Sequence, residues 1–148
     1  MFRFHALAFA AILASLAPAA AQDSPITRAS AEVSISAGTR LAQDIRRVLA
    51  GRVAVELYNR PVKGYPAGSR LHVRVSDVSV GQDEAMHTGP SLFDSMQGEV
   101  IVLDARGAEI ERKSLTAWPK WSAQGENTSR LQALVAAFAY TAVHKVGR

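Results

Sequence analysis

The 148-residue chain contains no cysteine. That rules out disulfides, thiolate metal sites, thiol catalysis and the thioether-linked lipid of a bacterial lipoprotein, so stability has to come from a packed core. Long apolar runs are missing too: the run at residues 6–16 is about half of the roughly 20 residues that a spanning helix needs. No serine lies in a G-x-S-x-G elbow and no glycine-rich phosphate loop precedes a helix. Histidine is scarce, and His72, His87 and His144 are not spaced as ligands of one metal. There is no block of like charge of the kind that grips nucleic acid, and that partner is excluded. These absences argue against an enzyme and against a resident cofactor.

What is present begins with that short apolar run. Arg3 and His5 precede it, Pro18 follows it, and Ala19-Ala20-Ala21 offers the small side chains a peptidase accepts. This is the pattern of a secretory signal peptide over residues 1–21, with cleavage expected between Ala21 and Gln22. The product would be periplasmic or secreted. Losing Arg3 lowers the net charge from +4 to +3, and the sixteen cations that remain are twelve Arg and four Lys. The planar fork of arginine suits carboxylates and phosphates. Anionic lipid, a glycan or another envelope protein are therefore the expected partners.

Residues 22–30 read as a flexible N-terminal segment and residues 31–148 as a single domain. Ala31, Val33 and Ile35 alternate with polar residues, as in a half-buried strand. Leu41, Ile45, Val48 and Leu49 then mark an amphipathic helix, which Gly51 is expected to stop. Val53, Val55 and Leu57 alternate again and predict a second strand. A proline- and glycine-containing loop follows, with Pro61, Tyr65 and Pro66 as a structural cluster. Leu71, Val73 and Val75 share one face of the next strand, and Arg70, His72, Arg74 and Ser76 the other. Val78 and Val80 have the opposite parity, which predicts a bulge near Ser76-Asp77. After a long loop, residues 81–94, a hairpin turns at Asp104-Ala105-Arg106-Gly107. A last helix, starting near Asn127 or Thr128, carries Leu131, Leu134, Val135, Phe138, Ala142 and Val146 along one stripe. Together these elements predict an α+β fold, with an antiparallel or mixed β-sheet of about five strands and two helices packed on one face.

The helix at residues 39–50, the strand Arg70-Leu71-His72-Val73-Arg74-Val75-Ser76-Asp77-Val78, the segment Gly98-Glu99-Val100-Ile101-Val102-Leu103-Asp104-Ala105-Arg106-Gly107 and the alanine-rich terminal helix follow one rhythm of elements. In that rhythm the chain resembles the small, often lipid-anchored envelope proteins of Gram-negative bacteria, many from families of unknown function. The chain departs from the anchored members by lacking a lipobox cysteine. The resemblance implies a binding or assembly role in the cell envelope.

Three groups of residues are candidates for such a role. Arg70, His72 and Arg74, two residues apart on one strand face, form either a donor array for phosphate or carboxylate or an exposed face neutralised by Glu99 and Glu109. Trp118 and Trp121 flank Pro119-Lys120 and are either anchors for a partner or a lid over the core edge. Asp83, Glu84, His87 and Asp94 fall in the long loop, where they either hold a hard or borderline cation or are simply solvated. The cation reading belongs to the alternative function, a small metal-binding protein or hydrolase. Ala133, Ala136, Ala137, Ala139 and Ala142 permit close approach of a second helix, although alanine is also the best helix former. A monomer is expected, with a homodimer as the other state.

Overall fold

The structure is a computed structural model that describes residues 24–35, 39–79, 94–119 and 130–147. The leader falls outside these residues, as do Asp83, Glu84, His87, Trp121, Asn127 and Thr128. The elements are β1 (Ala29–Val33), α1 (Thr39–Asn59), β2 (Arg70–Ser79), β3 (Ser95–Leu103), β4 (Glu109–Ala117) and α2 (Arg130–Lys145). The strands form one sheet in the order β1-β2-β3-β4, with β1 parallel to β2 and the other pairs antiparallel. The fold is therefore α+β with a mixed sheet, and four strands replace the expected five.

The missing strand is the second half of α1. Val53 and Leu57, taken above for alternating strand positions, also continue Ile45 and Leu49 at four-residue steps, and all four are buried. Val55 tells the two patterns apart, because a strand would bury it beside Val53, whereas here it is 52% exposed. Gly51 does not stop the helix. A methyl group at its Cβ position would meet nothing within 4 Å, so the residue sits on an open face. The gain from continuing the buried stripe outweighs the helix cost of about 1 kcal/mol that glycine carries relative to alanine.

Leu71, Val73 and Val75 of β2, Val100 and Val102 of β3, and Leu115 of β4 pack in one core with Leu49 of α1 and Leu134 and Phe138 of α2. Both helices thus cover the same face of the sheet. The α2 stripe is buried from Leu134 to Val146, and Leu131 is half-buried. The expected bulge is present: pairing passes from Val75↔Gly98 to Asp77↔Gln97 and leaves Ser76 over. Opposite it, Gly98 is required by close approach. A Cβ there would lie 1.9 Å from the Arg74 carbonyl oxygen and 3.0 Å from the tip of the Phe138 ring.

The hairpin turn is held by Asp104, whose Oδ1 accepts from the N–H groups of Arg106 and Ala108, each at 2.8 Å. Gly107 takes φ +89°, a region that side chains with a Cβ avoid. Within the N-terminal stretch read as flexible, Ile26 is buried and donates its N–H to the Val62 carbonyl at 2.9 Å, while Ala29 and Ser30 belong to β1. Tyr65 of the loop before β2 is also in the core, and its hydroxyl donates to Glu111. At the β4 edge two lysines clasp the end of α2. Lys113 Nζ donates to the Lys145 carbonyl at 2.8 Å, and Lys145 Nζ donates to the Ser114 carbonyl at 2.7 Å.

Candidate functional site

The face of the sheet turned away from the helices carries the β2 stripe. Strand register sets Glu32, Arg74, Glu99 and Ser114 in one row across all four strands, and Ser30, His72, Ile101 and Arg112 in another. Glu32 accepts from Arg74 Nε at 3.2 Å and pairs with His72 Nε2 at 3.3 Å, while Ser30 Oγ lies 2.8 Å from His72 Nδ1. Arg74 Nη1 donates to Glu99 at 2.8 Å. Arg112 holds Glu99 at 2.8 and 2.9 Å through Nη1 and Glu109 at 2.6 and 3.0 Å through Nη2 and Nε. The result is a chain of alternating charges across the sheet.

These contacts stabilise the charged forms of their members. The His72 hydrogen bond, followed by Arg74, holds the Glu32 carboxyl below its ordinary range. Arg112 does the same for Glu109, and Glu109 and Glu99 in turn raise the guanidinium of Arg112. Because these groups are largely exposed, solvent screens each pair and its contribution to stability is small. Of the two readings of the stripe, the geometry matches the neutralised face for His72, paired with Glu32, and for Arg74, paired with Glu32 and the expected Glu99, whereas Glu109 pairs with Arg112 instead. Sequence reasoning missed Glu32 and Arg112. Glu32 was legible only once β1 was known to lie parallel beside β2, and Arg112 only once the hairpin register was known.

Arg70 is different, since it makes no ion pair with any described residue. It stands at one end of an open cleft of about 630 Å³ that is floored by Ile101 and Leu103 and bordered by Ser30, His72 and Arg112.

A second hollow lies where β4 ends. Trp118 is 60% exposed, so it does not form a lid over the core, although Pro119 beside it is buried. Trp118 and Tyr140 are the walls of a groove of about 550 Å³ whose floor is Ala133, Ala136 and Ala137 of α2. Tyr140 stacks on His144 with ring centroids 3.7 Å apart, and His144 Nδ1 lies 2.9 Å from the Tyr140 carbonyl. The groove runs on into a cleft lined by Thr141, His144 and Lys145. The sequence marked Trp118 and the alanines separately, and their meeting depends on how α2 docks.

Of the candidate cation ligands only Asp94 is described. It lies directly before β3, is 1% exposed and has an interaction partner within the fold. Among the described residues no three potential ligands cluster. No helix among them is long and apolar enough to cross a membrane.

No family model matches the chain, and no curated protein is similar to it. Among solved structures, the PelC dodecamer from Paraburkholderia phytofirmans is similar over 78% of this chain and 87% of that one, at 11% identity and a TM-score of 0.44. An uncharacterized protein is similar over 86% and 94%, at 15% identity and a TM-score of 0.44. A minor lipoprotein from Acinetobacter baumannii is similar over 84% and 93%, at 16% identity and a TM-score of 0.42. At these identities and TM-scores no residue role passes from those proteins to this chain.

Proposed function

We propose that this chain is an exported, non-catalytic binding or assembly module of the cell envelope, monomeric by itself, which grips a partner protein in the groove between Trp118 and α2. The observation that carries this reading is the groove. Two large rings stand exposed beside a floor of small side chains, and such rigid aromatic walls supply much of the energy of contacts between proteins. α2 has no acidic residue, and His144 and Lys145 lie at the groove's far end. An apolar segment with acidic residues on one flank fits that combination. The β2 stripe supports the reading less, because His72 and Arg74 are already engaged by carboxylates.

The test is a photoreactive amino acid in place of Ala136, irradiated in intact cells and followed by mass spectrometry of the adducts. A single envelope protein should be captured, and Trp118→Ser should abolish the adduct. Adducts with a second copy would replace the partner by a homo-oligomer. Capture that persists in Trp118→Ser would remove the groove from the reading.

A further inference from the structure

The arginines of the sheet and those of α1 differ in their surroundings. Those at the middle of the sheet, Arg74 and Arg112, are held by carboxylates. α1 and the residue after it carry Arg40, Arg46, Arg47, Arg52 and Arg60 against only Asp44 and Glu56. None of these five makes an ion pair or a side-chain hydrogen bond with another described residue, and all five are exposed. Helix periodicity places Arg40, Asp44, Arg47, Gly51 and Tyr58 along one line, at i, i+4, i+7, i+11 and i+18, opposite the buried Ile45–Leu49–Val53 stripe, so that two arginines flank one acid there. Val55 stands next to that line. Tyr58 is 87% exposed, the highest value among the large apolar side chains of the described residues.

From this arrangement we infer that the outer face of α1 docks on an anionic lipid surface. Arginines that make no ion pair with another described residue can offer their donors to lipid phosphates, and about 1 kcal/mol per cation is the usual gain near such a surface. Tyr58 and Val55 distinguish a bilayer from a soluble polyanion. An aromatic ring and a valine gain nothing in contact with a charged polymer, but they can enter the boundary between headgroups and acyl chains. α2 lies beside α1 in the same layer and, among its described side chains, carries Lys145 and no acid, so Asp44 and Glu56 are the acids of the two helices. The charge-paired face of the sheet then points away from the lipid. This surface is separate from the groove at Trp118, and either can fail without the other.

The experiment is sedimentation of the protein, purified from its own host, with phosphatidylcholine vesicles prepared with and without phosphatidylglycerol. Binding should require phosphatidylglycerol and should be lost as salt is raised to about 0.5 M, where charges are screened within a few ångström. Arg40→Glu with Arg47→Glu should weaken it at least 25-fold, from about fivefold per cation removed. Tyr58→Ser should weaken it without changing the salt dependence. Arg106→Glu, an equal change of net charge in the exposed hairpin turn, should cost much less. No binding to phosphatidylglycerol vesicles would overturn the inference. So would an equal loss in Arg106→Glu, or a Tyr58→Ser protein that binds the vesicles as tightly as the parent.

Discussion

Single atoms decide two positions in this fold. Gly98 faces the Arg74 carbonyl at the bulge and the Phe138 ring below it, and neither neighbour has room to yield to a methyl group. Gly98→Ala should therefore cost roughly 1–3 kcal/mol, the range for overpacking a filled site. An unchanged urea midpoint would show that the bulge is not so tightly closed. Tyr65 is the second case. Burial, reinforced by its bond to Glu111, raises its hydroxyl from 10.0 to about 12. A group whose folded value is raised contributes stability that is complete below the unfolded value and disappears as pH climbs through the folded one. Stability should therefore fall between about pH 10 and pH 12, and ultraviolet titration should show a late-ionising tyrosine that is absent in Tyr65→Phe. A tyrosine spectrum that titrates in a single step near 10 would contradict the buried placement.

Among the elements, α1 shows where local pattern is ambiguous. Positions 53, 55 and 57 satisfy a strand rule, and positions 45, 49, 53 and 57 satisfy a helix rule. Only the burial of Val55 separates them, and burial depends on the rest of the fold. Because Gly51 sits mid-helix on an open face, Gly51→Ala should stabilise the protein by about 0.5–1 kcal/mol. A lowered midpoint in thermal melts would show that the glycine is needed for something other than helix. The β2 alternation, the bulge after Val75 and the Asp104–Gly107 turn were readable because each rests on neighbours in sequence. The parallel pairing of β1 with β2 was not, since it joins residues about forty positions apart. The acidic half of the charged face was hidden for the same reason, as was the meeting of Trp118 with the alanines of α2.

For the molecule as a whole, most of the described ion pairs lie on the open side of the sheet, while the arginines of α1 make none with another described residue. Paired carboxylates of the sheet, Glu32 and Glu109 on its open side and Glu111 on its helix side, make stability depend on acid. Glu32, Glu109 and Glu111 are all held below the ordinary carboxylate value, so their contribution is complete above that value and drains away as pH falls through the lower folded ones. Melting temperature should decline below about pH 4.3. Glu32→Gln should cost no more than about 1 kcal/mol at neutral pH and should make that decline shallower. An acid profile identical to that of the parent protein would mean that the row across the strands holds nothing together.

The lysine clasp on β4 has its own consequence. An outermost strand ordinarily displays free carbonyls that a stray polypeptide can copy, which is how sheets grow into fibrils. Here an ammonium group already occupies the carbonyl of Ser114, and the Lys113 side chain is tied to the helix end beneath it. A newcomer would have to evict both before laying down a fifth strand on that side. The same bonds that finish α2 therefore guard part of the β4 edge.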